Sequence, residues 1–177
     1  MSDAAGARRP GGGHPASGVV VREATAADAG ALVELRAVMF EAMGATPDEL
    51  ADPQWRRGAH AWFVARVGTP GVRVAVADAA GEVVSCAVGE VTALTPGPNA
   101  PNGCVGLLSN VATRHPWRGR GLAAACTDEV LDWFRHGTDV TRVDLFATGA
   151  GAPIYTARGF TVRAFPAMCL SVPRADR

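Results

Sequence analysis

Apolar residues recur along this chain with two periods, and the switches between them predict its elements. Val19 to Glu23 is β-branched and reads as extended. Thr25 then stands where a helix N-cap belongs, with Asp28 three residues on as its capping-box partner. Leu32, Leu35, Arg36, Met39, Phe40 and Met43 follow at helical spacing, and Gly44 marks the stop. Pro47 opens a second helical region carrying Leu50, Trp55, Ala59, Trp62 and Phe63, and Pro53 should break or kink it early.

The period then shortens to that of strands. Val72 to Ala77 and Glu82 to Thr92 flank a turn at Asp78 to Gly81 and predict an antiparallel hairpin. Leu94 to Gly103, rich in Pro, Gly and Asn, is a loop longer than a tight turn, of a length that suits a lid. Cys104 to Ala112 is a further core strand. A helix from Arg120 or Gly121 to about His136 places Leu122, Cys126, Val130 and Phe134 on one face. Val140 to Thr148 is the next strand, and a helical turn around Pro153 to Arg158 ends at Gly159. Phe160 to Ala164 and Met168 to Val172 read as two last short strands. One helix joins the strands at Cys104 and Val140, so those two should lie parallel. The expected fold is an α/β arrangement: a mixed, mostly antiparallel sheet of six or seven strands with helices on both faces.

The chemistry concentrates between the Cys104–Ala112 strand and the helix after it. In Arg118-Gly119-Arg120-Gly121-Leu122-Ala123 the glycines let consecutive N–H groups point inward, and the helix N-terminus adds partial positive charge. Arg118 and Arg120 supply forked donors suited to phosphate. A phosphate-bearing cofactor is expected there. Gly119 to Ala124 also satisfies the G-x-G-x-x-A pattern of dinucleotide-binding domains, with Asp144 about 20 residues on. Such a domain needs further βαβ units, and too little chain follows to supply them.

Composition narrows the partners. The 177 residues are 48% apolar and 19% charged, with zero formal net charge. One folded domain, 19–177, behind a flexible Gly/Pro/Ala-rich tail, 1–18, is the expected organisation. A general grip on nucleic acid is not expected without a basic excess. No apolar run approaches the roughly 20 residues of a membrane helix, and the N-terminus lacks the apolar segment of a signal peptide, so a cytoplasmic protein is expected. Cys86, Cys104, Cys126 and Cys169 are dispersed and form no CxxC, so neither a metal nor a disulfide is expected. All seventeen basic residues are arginine, a bias that suits a high-G+C bacterial genome.

With these residues in place, the chain resembles the GNAT superfamily of acyl-CoA-dependent N-acetyltransferases from about Val19 to Val172. Arg118, Gly121 and Ala123 match that family's R/Q-x-x-G-x-G/A loop. Tyr155 to Phe160 is similar to its Y-x-x-x-G-F signature, and Val21 to Asp28 to its common opening. The resemblance implies acetyl-CoA as co-substrate, no metal, and a small-molecule or peptide amine as acceptor. It implies a splay between the parallel strands, where Asn110, Val111, Ala112 and Thr113 would bind the pantetheine arm and the Val111 N–H would polarise the thioester carbonyl. Arg118, Gly119, Arg120, Gly121, Leu122 and Ala123 would hold the pyrophosphate. Dimers are common in the family, so a homodimer is an open expectation.

Acetyl transfer to an amine sets three tasks: a neutral amine, donors for the oxyanion and an acid for the departing thiolate. Tyr155, the only tyrosine, is the candidate acid, since a phenol with a pKa near 10 is protonated at pH 7. Its other reading is packing beneath the cofactor. The Cys104–Ala112 strand carries no carboxylate where many relatives have one. Glu90 is the nearest candidate base, with an outward, solvated position as its alternative; Ser109 and Asn110 could instead orient a water. Met39, Phe40 and Met43, with Trp55 and Trp62, are core residues or the wall of an acceptor pocket. Glu41 could meet a cationic acceptor, His115 could touch phosphate, and Thr148 either caps the following turn or contacts the cofactor. The rival of another class is a non-catalytic acyl-CoA-binding or sensing protein of the same fold.

Overall fold

The structure is a computed structural model that describes residues 18–165 and 167–172. The expected N-terminal tail therefore lies outside the described residues except for Gly18. The described residues divide into two compact units between Phe146 and Ala147.

The first unit is built on one sheet of five strands: β1 (Val19–Glu23), β2 (Val72–Ala79), β3 (Glu82–Ala93), β4 (Cys104–Thr113) and β5 (Arg142–Leu145). They lie in chain order, β1 to β4 antiparallel and β5 parallel to β4. α1 (Ala29–Ala42), α2 (Pro47–Ala51) and α3 (Pro53–Arg66) come between β1 and β2, and α4 (Leu122–Gly137) joins β4 to β5. The second unit contains α5 (Ala152–Thr156). Among the described residues no helix is long and apolar enough to cross a membrane.

Local chemistry sets the element ends. Thr25 and Asp28 form the expected capping box, the Thr25 N–H donating to Asp28 Oδ2 at 2.7 Å, ahead of a short 3-10 turn into α1. Pro53 breaks the second helical region outright rather than kinking it. It becomes the first residue of α3, with the Asp52 carboxylate accepting from the Gln54 N–H at 2.8 Å. The loop from Leu94 to Gly103 closes on itself through Leu94 N–H to Gly103 O, 2.8 Å, and a bridge between Gly97 and Ala100.

Alternation sorts the sheet into two faces. Val74, Val76, Cys86, Val88 and Ala112 pack with Leu32, Leu35 and Phe63 of α1 and α3. The opposite face meets α4, whose Leu122, Cys126, Val130 and Phe134 are buried as the spacing predicted. The approach is close enough to need glycine in the sheet. A Cβ at Gly89 would stand 2.5 Å from Val130 Cγ1, and one at Gly106 2.8 Å from Phe134 Cε1.

Two expectations are corrected. The sheet has five strands rather than six or seven, because Phe160–Ala164 and Met168–Val172 are not strands among the described residues. Their alternating apolar residues Val162, Met168, Leu170 and Val172 are exposed. Alternation specifies a strand only where one face is buried and a ladder is formed. The strand expected over Val140–Thr148 is also shorter, Arg142–Leu145.

An ion cluster ties β1 to the start of α1 and to β2. Arg22 contacts Asp28 at 2.8 Å and Asp78 at 2.9 Å. The Arg22 guanidinium, helped by the Thr25 hydrogen bonds, holds the Asp28 carboxyl at about 2, below its usual 3.8. A depressed folded-state pKa contributes stability that is complete above the unfolded value and lost as the pH falls through the folded one. Asp28→Asn should therefore cost about 1 kcal/mol at pH 6. Chemical denaturation should show that gap to the parent protein narrowing between pH 4 and pH 2.

Candidate active site

The site grows from a fault in the β3–β4 ladder. Val88 pairs with Ser109 and Cys86 with Ala112, so Ala87 alone faces both Asn110 and Val111. This is a β-bulge, which bends the strand and re-aims its side chains. Asn110 takes the left-handed conformation, φ 49°, which asparagine tolerates better than most residues. It is buried and held from both ends. The Cys86 thiol donates to the Asn110 carbonyl at 3.1 Å, and the Asn110 amide nitrogen lies 3.5 Å from the Cys86 sulfur.

Parallel pairing with β5 stops just before the bulge. Val105 to Leu108 pair with Arg142 to Leu145, and β5 then ends while β4 runs on to Thr113. Ser109 to Thr113 thus lie beyond the β5 ladder, the stretch of β4 where the resemblance implied a splay. Val111 and Thr113 are half-buried there, and Ala112 is buried.

The arginine-glycine turn follows at once. Arg118 Nε donates to the Thr113 carbonyl at 3.2 Å and so fixes the turn against the strand end. Arg120 donates to the Pro116 carbonyl at 3.2 Å and lies over the Trp117 ring at 4.7 Å. Gly119 and Gly121 both have φ near 75°, a left-handed conformation that disfavours any side chain. Gly121 is the N-cap of α4 and no side chain caps that helix. The N–H groups of Leu122 and Ala123 open the helix and have no carbonyl of their own helix to donate to. Exposed glycine backbone, an uncapped helix start and two exposed arginines fit a bound pyrophosphate.

A cavity of about 590 Å³ lies in the first unit, a volume typical of small-molecule sites. Met39, Phe40 and Met43 line it with Trp55 and Trp62, so the lower end of the α1 stripe is cavity wall, while Leu32 and Leu35 are core. Glu90 and Ser109 also line it, which places Glu90 at the cavity rather than in outward solvent. Asn110 contributes to the same wall and connects cavity and bulge.

The remaining candidates fall elsewhere. Glu41 pairs with His115 Nε2 at 3.0 Å, both exposed. Thr148 and Tyr155 belong to the second unit. Thr148 caps the turn into α5, its Oγ1 accepting from the Gly151 N–H at 3.2 Å. Tyr155 is half-buried on α5, edge-on to Phe160 with ring centroids 6.0 Å apart, and burial raises its phenol above the usual 10.

Arg36 is the residue that sequence reasoning missed. It lines the cavity, lies over the Phe40 ring at 4.8 Å and makes one long hydrogen bond, 3.4 Å, to Asn110 Oδ1. Its signal was present: a single cation inside an otherwise apolar helical stripe.

No family model matches the sequence, and no match is found among curated proteins. Solved structures do match. A predicted acetyltransferase from Clostridium acetobutylicum, crystallised with acetyl-CoA, is 18% identical over 86% of this chain and 96% of its own, with a TM-score of 0.75. A GCN5-related N-acetyltransferase from Ralstonia eutropha is 20% identical over 86% and 99%, with a TM-score of 0.76. A protein described as a transcriptional regulator from Bacillus halodurans is 16% identical over 87% and 99%, with a TM-score of 0.67. The chain has the fold of the GCN5-related N-acetyltransferases, the GNAT fold.

The bulge makes a stability prediction. Asn110→Gly should be tolerated within about 1 kcal/mol, because glycine accepts the left-handed backbone. Asn110→Val should lose about 2 kcal/mol or more by thermal or chemical denaturation, because a β-branched residue resists that conformation.

Proposed function

We propose that this protein is an acetyl-CoA-dependent N-acetyltransferase acting on a primary amine by direct attack in a ternary complex. The observation that carries the reading is the continuity of bulged strand, glycine turn and uncapped helix, joined by the Arg118–Thr113 bond and bordered by a cavity with a carboxylate in its wall. Solved acetyltransferases of the same fold, one of them crystallised with acetyl-CoA, support it.

Acetyl-CoA supplies an activated thioester; the chain's own residues do the rest. Gly119 to Ala123 and the two arginines hold the pyrophosphate, and the unpaired length of β4 receives the pantetheine arm as a further strand would pair. The acceptor must lose a proton before it attacks. An amine with a pKa near 10.4 is neutral in about one molecule in 2,500 at pH 7. Glu90, directly or through a water at Ser109, takes that proton. The C–N bond forms as the Val111 N–H stabilises the oxyanion, the C–S bond then breaks, Tyr155 gives its proton to the thiolate, and the second proton of the acetylated nitrogen returns through water to the Tyr155 phenolate. Burial keeps Tyr155 protonated throughout the neutral range.

Burial also argues for direct transfer. It raises the Cys86 thiol, and it pushes Cys126 up to about 12, so neither is a thiolate nucleophile at neutral pH. The acceptor is a small molecule or peptide amine in a protein of the cytoplasm, with neither nucleic acid nor membrane as partner.

The test is an amine screen that reads thiol release from acetyl-CoA. Turnover is expected, with Tyr155→Phe lowering kcat by about 100-fold or more at an almost unchanged acetyl-CoA KM. Gly121→Val should weaken acetyl-CoA binding at least tenfold. A Tyr155→Phe variant with full kcat would remove the acid assignment. Tight acetyl-CoA binding without turnover on any amine would favour the sensing protein instead.

A further inference from the structure

From the charges in the cavity wall we infer that the acceptor is a free α-amino acid with a large apolar side chain, its carboxylate bound by Arg36. This rests on the acetyltransferase reading and narrows its acceptor.

The cavity wall is apolar on one side and charged on the other. Phe40, Trp55 and Trp62 offer aromatic surface, Phe40 and Trp55 edge to face with centroids 5.8 Å apart. Glu90 and Arg36 are the charged residues of the lining. Such a wall suits a zwitterion with an apolar body. A simple hydrophobic amine would leave the guanidinium unused.

Arg36 is poorly satisfied by the protein itself. Its guanidinium carries five N–H donors, and among the described residues the one hydrogen-bond partner shown for it is Asn110 Oδ1, at 3.4 Å. Among the described residues no carboxylate is hydrogen-bonded or ion-paired to it; Glu90 acts on it only through its field. It is half-buried, and that desolvation disfavours its charge, though an arginine keeps its proton. A half-buried cation without an anion is costly, and a ligand carboxylate relieves the cost through two parallel hydrogen bonds. The guanidinium carbon lies 4.8 Å from the Phe40 ring centroid, a cation–π contact that helps to hold it at the cavity wall.

Glu90 and Arg36 then divide the two ends of an α-amino acid between them. The carboxylate goes to Arg36 and the ammonium to Glu90, which is also the proposed base. The side chain is left for the aromatic wall. Asn110 joins the arrangement to the reacting end, because it contacts Arg36 and is itself part of the bulge. The cavity has room for an amino acid of phenylalanine or tryptophan size.

The experiment has two arms. In the first, L-phenylalanine, L-phenylalanine amide and phenethylamine are titrated into the protein by calorimetry, and L-leucine and L-tryptophan likewise. One or more of the amino acids should bind, and at least tenfold more tightly than the matched compound lacking the carboxylate. Arg36→Met should abolish that preference, and Arg36→Lys should restore part of it. Equal binding of acid and amine, no binding of any of the three amino acids, or a preference that survives in Arg36→Met would overturn the proposal. The wild-type comparison decides the matter even if a variant fails to fold. In the second arm the same compounds are assayed for thiol release from acetyl-CoA. The amino acids should again lead, with Arg36→Met raising their KM more than it lowers kcat. Carboxylate-dependent binding with no thiol release would break the acetyltransferase reading, and the acceptor proposal with it. Thiol release from phenethylamine equal to that from phenylalanine would overturn the acceptor proposal and leave the acetyltransferase reading standing.

Discussion

One extra residue in β4 is the constraint on which the site depends. Asn110 and Val111 stand against Ala87 alone, and the strand bends where they do so. A regular ladder there would carry pairing on and turn every following side chain to the other face. The bulge does the opposite. It falls just past the end of the β5 ladder and leaves a length of β4 paired on one side only. Its cost is a left-handed asparagine, φ 49°, and the structure surrounds that residue with fixed partners. Cys86 is bonded to its carbonyl, Arg36 to its side chain, and burial seals the arrangement.

The same residue links two kinds of chemistry. Beyond it, β4 leads through Thr113 to the arginine-glycine turn and the start of α4, where backbone N–H groups and guanidinium groups favour an anion. Beside it, the cavity has an apolar wall with one cation and one carboxylate set in it. Electrostatics in a half-buried site are stronger than on the surface, so these two charges weigh more than the many exposed pairs elsewhere. Packing fixes the frame around them. Gly89 and Gly106 allow α4 to rest against the sheet at van der Waals contact, which positions the helix that carries the turn at its N-terminus.

Much of this was legible in the sequence. Caps and breakers did the work for the helices. Thr25 with Asp28, Gly44, Pro53 and Gly121 each mark an element end within about two residues, because each acts locally. The period-2 runs gave the hairpin and the parallel pair for the same reason. The last two strands were misread because alternation in Val162, Met168, Leu170 and Val172 describes a side-chain pattern, whereas a strand also needs a partner. The bulge was inaccessible to periodicity, since one inserted residue in Cys104–Thr113 leaves a run that still reads as a single strand. The splay at this stretch was an expectation of the family resemblance alone. Arg36 was passed over because the stripe around it reads as core, and nothing local says that Leu32 and Leu35 are core while Met39 and Phe40 face a cavity.

Amide spectra of the isotopically labelled protein during an acetyl-CoA titration test the central claim most directly. The N–H signals of Val111 and of Gly119 to Ala123 should shift most, saturate together and gain protection from exchange, while those of β1 stay in place. Saturable binding that leaves these amides unmoved, with the large shifts elsewhere in the sheet, would contradict the account.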